Sequence, residues 1–178
     1  MPLKDASDDF TLFISYAHDD NESSDPSKRW LNRLSEQLQP LVLQDKVNAW
    51  SDTQIETGQL WDTSIKTQLQ NARAAVLLIS PAFLASKYIR NSELPVLLMN
   101  ARNEGRAVVL PIILRRCLFA ETTFKYPDPT DGPEELSLSV FQSANPPDKP
   151  LNSMQEHEQD AVLLSVAQRI LRLAQQNP

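Results

Sequence analysis

Hydrophobic positions along the chain fall into short apolar runs separated by longer amphipathic stretches. The runs at 10–15, 47–51, 74–80 and 107–114 are short and rich in apolar and β-branched residues, which predicts buried strands. The run at 74–80, AAVLLIS, is apolar up to its final serine, as is typical of a central parallel strand covered on both faces. Pro111 within the last run predicts a bulge or the end of a ladder.

Apolar residues recur at helical spacing in the stretches between and after these strands. The spacing predicts helices over 27–43, 60–72, 80–103 and 153–176. The helix over 80–103 begins at the entry signal Ser80-Pro81 and has Gly105 just past its end.

Strands that alternate with helices predict right-handed βαβ units and a parallel sheet. Four or five strands with helices on both faces make a flavodoxin-like, doubly wound α/β domain. We predict one domain over 1–178, with a core at about 10–114 and a final helix at about 153–176. The proline-rich region 115–150 between them is predicted to be a long loop with a short strand or turn near LSVFQ.

Composition and charge restrict the possible functions. The net charge is −6, so non-specific binding to nucleic acid or to an anionic membrane is not expected. No apolar run reaches the ~20 residues that span a bilayer, and the first residues lack an apolar signal-peptide core. Cys117 is the single cysteine, which excludes an internal disulfide and a cysteine-based zinc cluster. A cytoplasmic protein is the simplest interpretation.

The three glycines, Gly58, Gly105 and Gly132, exclude the glycine-rich phosphate loops of Rossmann and Walker sites. Ligands of doubly wound folds bind beyond the carboxyl ends of the strands, here in the segments after Ser15, Ser51, Ser80 and Leu114.

Two acids, Asp19 and Asp20, follow the first strand and suggest a magnesium-binding receiver domain. That family also needs an aspartate at the end of the third strand, where this chain reads LLIS. We therefore interpret Asp19 and Asp20 as a solvated loop.

Two tryptophans flank the loop after the second strand. Trp50 ends the strand, where it favours the wall of a pocket, because tryptophan is well suited to stacking on a base or a pyridinium ring. Trp61 fits two interpretations equally, a stacking residue or a member of the apolar stripe of its helix.

Glu93 lies in the predicted helix 80–103 among mainly uncharged neighbours. A carboxylate in that setting would be partly desolvated, which raises its pKa unless a partner offsets the burial. The alternative is a structural salt bridge to Lys87, Arg90 or Arg102.

Five segments of the chain, read together, match a known family. FTLFISYAHDD, then VNAWSDTQIETGQLW with LLISPAFLAS, then SELPVLL and VVLPIIL resemble a bacterial-type Toll/interleukin-1 receptor (TIR) domain, collinear over about 10–114. The resemblance implies a five-stranded parallel sheet. It also implies that residues 51–59 form the mobile loop with which TIR domains assemble.

Many TIR domains cleave the nicotinamide–ribose bond of NAD+, so the resemblance implies an NAD+ glycohydrolase with no metal and no cofactor besides its substrate. By position, Glu93 matches the catalytic glutamate. The products that the resemblance implies are nicotinamide and either ADP-ribose or a cyclic ADP-ribose isomer. Ile89 stands where several active relatives have a tryptophan, which counts against cyclisation more than against hydrolysis. The substrate-binding residues implied by the match are Ser15, Tyr16, His18, Trp50, Trp61, Ser86, Tyr88 and Ile89.

The resemblance further implies an effector in bacterial immunity or antiphage defence that is activated by self-association or filament assembly. A sensor domain or subunit outside these residues would trigger that assembly. One alternative is a non-catalytic scaffold that signals by TIR–TIR contacts. Another is a nucleoside deoxyribosyltransferase on a similar fold, which would use a glutamate as a nucleophile and would ignore NAD+.

Overall fold

A computed structural model describes residues 9–52, 61–102, 107–125 and 135–176. Its main sheet has four parallel strands in the order β2-β1-β3-β4. The bounds of these strands are Thr11–Ser15 for β1, Asn48–Trp50 for β2, Ala74–Ile79 for β3 and Val108–Ile113 for β4. The four predicted strands are confirmed, each shorter by one residue at one or both ends. A fifth parallel strand is not found within the described residues.

Helices cover both faces of the sheet. Their bounds are Trp30–Leu43 for α1, Trp61–Asn71 for α2, Pro81–Ala85 for α3, Leu94–Arg102 for α4 and Glu156–Gln176 for α5. Alternate strand residues enter opposite cores. Phe13 and Leu77 pack with α2, α3 and α4, and Leu12 and Val76 pack with α1 and α5. The flavodoxin-like, doubly wound α/β fold is thereby confirmed.

The outer edge of β4 is covered by an asparagine instead of a further paired strand. The Asn145 side chain accepts a hydrogen bond from the Ile113 N–H at 3.0 Å and donates one to the Ile113 carbonyl at 2.9 Å. Ala144 donates its N–H to the Pro111 carbonyl at 2.8 Å. Pro111 lies within β4 in regular register with Leu77, so the bulge or ladder end predicted there is wrong. These contacts satisfy backbone groups that an open sheet edge would expose.

The proline-rich region contains more structure than the sequence predicted. Thr123–Lys125 (β5) pairs antiparallel with Glu135–Ser137 (β6) in a separate two-stranded sheet. A short 3₁₀ turn, Leu138–Val140, follows β6 within the predicted LSVFQ segment.

The single helix predicted over 80–103 is wrong. Helix α3 ends at Ala85, where Ser86 takes an extended backbone conformation, and residues Ile89–Glu93 form a π-helical turn before α4. The Leu94 N–H donates to the Ile89 carbonyl, five residues back. Pro95 explains the wider turn, because it lacks the N–H that an α-helix needs and its ring crowds the carbonyl four residues earlier.

Candidate active site at the carboxyl ends of β1 and β3

Glu93 is the most deeply buried acid of the site. It closes the π-helical turn, and its side chain is 2% exposed. The Ser15 hydroxyl, at the carboxyl end of β1, donates a hydrogen bond to Glu93 Oε2 at 2.5 Å. A side chain from the segment after β3 is thus held against the end of β1, which is the crevice where ligands of this fold class bind.

Burial dominates the electrostatics of Glu93. Desolvation raises its pKa from 4.5 to about 7, and the nearby charge of Asp52 acts in the same direction. The hydrogen bond from Ser15 and the charge of His18 oppose that rise. Within the described residues no cation forms an ion pair with Glu93, and Arg90 instead donates to the Thr123 carbonyl and lies over the Phe124 ring. The carboxyl group is therefore poised to gain or lose a proton near neutral pH.

His18 and Asp52 form a second polar pair beside Glu93. His18 Nε2 lies 2.7 Å from Asp52 Oδ2, and this hydrogen bond raises the pKa of His18. The Asp52 side chain is only 8% exposed, and its other oxygen, Oδ1, is buried without a hydrogen-bond partner. The pair ties the loop after β1 to Asp52, two residues beyond the end of β2.

A cleft of about 430 Å³ opens above these groups. It brings together five of the residues expected to bind substrate: Tyr16, His18, Ser86, Tyr88 and Ile89. Glu93 and Ser15 are buried and do not line the cleft, but the charges of His18 and Asp52, which do line it, act on the pKa of Glu93. The remaining described residues that line the cleft are Ala17, Asp19, Asp52 and Ala82.

Of the two remaining sequence-predicted site residues, Trp50 and Trp61, the structure describes only the side chain of Trp50. Trp50 stacks on Phe13, with ring centroids 6.1 Å apart, because the two residues are paired across β1 and β2. It packs against the core and lies outside the described lining of the cleft. Trp61 begins α2, but its side chain lies outside the described part of the chain, as do residues 53–59 of the predicted mobile loop and Gly105.

Two features of the site were missed from the sequence. Asp52 directly follows the strand predicted over 47–51, and an acid at that position was a usable signal. Asp20, interpreted as solvated, instead accepts a hydrogen bond from Ser80 across the crevice, and burial raises its pKa. That interpretation was wrong because the loop after β1 folds back over the end of β3. Ser80 also caps α3 by accepting from the Phe83 N–H.

The described residues hold no cluster of three or more His, Cys, Asp or Glu side chains that is arranged to bind a metal ion. No helix within the same ranges is long and apolar enough to cross a bilayer.

Comparison with known proteins identifies the family. The family model described as TIR domain matches residues 12–139. This chain belongs to the TIR domain family. The match includes all of β1 except Thr11, the cleft, Glu93 and the β5–β6 pair, so the candidate site lies within the TIR domain itself.

A protein of Sinorhizobium fredii (strain NBRC 101917 / NGR234), named Uncharacterized protein y4lF, is 32% identical to this TIR domain over 107 residues. The match covers 60% of this chain and 31% of y4lF, so the shared region is less than a third of that protein. TIR domains take part in signalling and typically self-associate, and the family includes enzymes that cleave NAD+.

Proposed function

We propose that this TIR domain is an NAD+ glycohydrolase that splits the nicotinamide–ribose bond to give nicotinamide and ADP-ribose. The observation that supports it is the buried carboxyl group of Glu93, whose pKa is raised to about 7, beside a cleft large enough for a ligand. Membership of a family that contains NAD+-cleaving enzymes supports the same reaction.

One carboxylate is sufficient for the bond cleavage. The C–N bond breaks with both electrons going to the pyridinium nitrogen, so nicotinamide departs as a neutral molecule and needs no general acid. The ribosyl carbon develops the positive charge of an oxocarbenium ion. Ionised Glu93 would stabilise this charge strongly, because its site is largely shielded from water.

Glu93 would also act as a general base when water attacks the ribosyl carbon. Water attacks the ribosyl carbon and must lose a proton, and a carboxylate with a pKa near 7 is well matched to accept it at neutral pH. Ser15 is a positioning residue in this scheme, since its hydrogen bond fixes one carboxylate oxygen.

The walls of the cleft offer aromatic surface for the nicotinamide ring. Tyr16 and His18 are in ring contact, with centroids 5.4 Å apart, and Tyr88 lies on the α3–α4 side. Ile89, where several relatives have tryptophan, lines the same cleft. We propose that Tyr88 stacks on the nicotinamide ring. We also propose hydrolysis in preference to cyclisation, because Ile89 has no ring on which the adenine could be held.

The test is product analysis by chromatography after incubation of the purified chain with NAD+ and a crowding agent. We expect nicotinamide and ADP-ribose from the wild type. Glu93→Gln keeps the shape and the Ser15 contact but cannot ionise, and should lower the rate about 10²–10⁴-fold. Glu156→Gln, an exposed acid on α5, is the matched control and should leave the rate unchanged. Equal nicotinamide release by wild type and Glu93→Gln would show that Glu93 is not the catalytic group.

A non-catalytic scaffold is the second candidate. Glu93 is 2% exposed and lies beneath the described lining of the cleft, so substrate cannot contact it without some movement of the cleft wall. Assembled protein that leaves NAD+ intact would favour the scaffold.

The burial of Glu93 also supports activation by assembly. We propose that contacts between copies open the cleft, that a sensor domain or subunit drives those contacts, and that the protein acts in the cytoplasm as an immune or antiphage effector. Nicotinamide release that rises more steeply than linearly with protein concentration is the expected signature. A strictly linear dependence would contradict activation by assembly.

A further inference from the structure

The π-helical turn that ends at Glu93 is attached to three different elements of the fold. At its start, the Ile89 N–H donates to the Ser86 hydroxyl at 3.2 Å, and the Arg90 N–H donates to the Ser86 carbonyl at 3.1 Å. At its end, Glu93 accepts the hydrogen bond from Ser15 on β1. The third attachment is the side chain of Arg90, which reaches β5.

Arg90 contacts β5 through a hydrogen bond and through the flat face of its guanidinium group. Its Nη1 donates to the Thr123 carbonyl at 2.9 Å, and its Cζ lies 4.4 Å from the centre of the Phe124 ring. A guanidinium group over an aromatic ring is attracted by the negative face of the ring. Phe124 is 2% exposed and packs in the same core as Ile89, so the ring under Arg90 is itself held in place.

The same contacts direct the charge of Arg90 away from Glu93. In a regular α-helix, residues three apart are neighbours on one face, so an arginine at position 90 could reach a carboxylate at position 93. Here the guanidinium group is bound to β5, and no ion pair joins these two described side chains. The groups that act on the pKa of Glu93 are Ser15, Asp52 and His18, which belong to other segments.

The π-helical turn needs such attachments, because π-helical turns are rare and the surrounding contacts must select one over a regular helix. Pro95 removes one backbone donor, and the Arg90 side chain fixes the turn from the side of β5. A change in the form of the turn would carry the Glu93 carboxylate away from Ser15. Arg90 is not among the described residues that line the cleft, so it would act only through the turn.

We infer that Arg90 is a positioning residue for the proposed cleavage, because its contacts with Thr123 and Phe124 hold the π-helical turn in the form that places Glu93 against Ser15. The inference rests on the proposed function. It adds to that function that the β5–β6 sheet, which lies apart from the cleft, supports the reacting carboxylate.

An NMR titration tests the inference without any need for catalysis. The full chain is labelled with ¹³C at its glutamate carboxyl groups, and the signal that Glu93→Gln removes identifies Glu93. Arg90→Met keeps the apolar stem of the side chain but loses the donor and the charge. We expect the turn to relax and water to reach the carboxylate, so the pKa of Glu93 should fall from about 7 towards 4.5, since burial is the main cause of its rise.

Two further variants and one control sharpen the titration. Arg90→Lys keeps a cation and a donor, so it should retain most of the wild-type behaviour. Phe124→Leu keeps an apolar side chain in the core but removes the ring under the guanidinium group, and should lower the pKa of Glu93 as Arg90→Met does. Arg172→Met changes an exposed arginine on α5 in the same way and should leave the titration unchanged.

Kinetics then connect the position of Glu93 to the reaction. With NAD+, Arg90→Met should lower kcat about ten- to a hundredfold with KM unchanged, as expected when a reacting group is misplaced by a change outside the cleft. Arg90→Lys should restore most of the rate.

The outcomes separate a positioning role from a merely structural one. If Arg90→Met and Phe124→Leu lower the free energy of unfolding but leave the pKa of Glu93 at about 7, the inference is overturned. A lowered pKa with an unchanged kcat for NAD+ also overturns it. If no preparation cleaves NAD+ but Arg90→Met lowers the pKa of Glu93, the positioning of Glu93 by Arg90 stands and the proposed function fails.

Discussion

The segment from α3 to α4 and the helix α5 look alike in sequence but differ in structure. Both have apolar residues at helical spacing over about six turns. Helix α5 is one continuous helix, Glu156–Gln176, whereas the other segment is divided into α3, a π-helical turn and α4. The interrupted segment contains Glu93, Tyr88, Ile89 and Ser86. Irregular turns of this kind are often found at functional sites, where they direct a side chain to a position that a regular helix would miss.

The acidic side chains of the two segments also differ in burial. The acids in the first turn of α5, Glu156 and Glu158, are exposed or half-buried, and they lie where a helix N-terminus favours negative charge. Glu93 is almost fully buried, with Ser15 as its hydrogen-bond partner. Helix α5 therefore contributes to stability, while the α3–α4 segment holds an acid whose ionisation destabilises the fold.

The largest expected effect on stability lies in α5. Ile170 is fully buried in the core shared by α1 and α5, and Ile170→Ala should lower the free energy of unfolding by about 2–5 kcal/mol. Chemical denaturation measures the loss. The pH dependence of the cleavage rate should not change, since Ile170 lies on the opposite face of the sheet from Glu93. An altered pH profile would mean that the two regions are coupled.

Glu93→Gln should raise the free energy of unfolding at high pH. The folded-state pKa of Glu93 is raised from 4.5 to about 7, so the folded protein binds more protons than the unfolded chain between these values. The contribution of wild-type Glu93 to the free energy of unfolding is complete below about pH 4.5 and is lost as the pH rises through 7. The variant should therefore gain about 3 kcal/mol over wild type above pH 7 and nothing near pH 4. Denaturation at pH 4 and pH 8, with Glu156→Gln as the control, measures this difference.

The cleavage rate should depend on the ionised form of Glu93. Well below pH 7, kcat/KM for NAD+ should fall about tenfold for each unit of pH, and it should level off above 7. Initial rates of nicotinamide release between pH 5 and 9 give the profile. A flat profile across that range would contradict a role for the ionised carboxylate.

Ser15→Ala should give the smallest change. The Ser15 hydrogen bond lowers the pKa of Glu93 against the effect of burial, so its removal should move the midpoint of the pH profile upward. The rate at high pH should be less affected, because Ser15 positions the carboxylate and does not touch the ribosyl carbon in the proposed reaction. Ser165→Ala, on the exposed face of α5, is a control that should leave the midpoint in place.

Local patterns predicted much of the fold correctly. The strands around Phe13, Ala75 and Ile112 were found because buried parallel strands are nearly continuous apolar runs. Helix α5 was found because its buried residues, such as Val166 and Ile170, recur at helical spacing on one side. The interruption of the α3–α4 segment was missed, although Pro95 gave a signal for it, since a proline near the middle of a predicted helix removes a backbone donor.

The sequence by itself determined the α/β class, the membership of the TIR family and the choice of Glu93 as the residue to test. These follow from periodicity and from short motifs, which depend on neighbouring residues. Only the tertiary structure decided that Ser15 is the partner of Glu93 and that Trp50 packs on Phe13. It also decided that Asp20 bonds to Ser80 across the crevice and that Arg90 lies over the Phe124 ring. The reason is that each of these pairs joins different strands or loops. Such contacts, and the burial that raises the pKa of Glu93, exist only once the sheet has brought distant segments together.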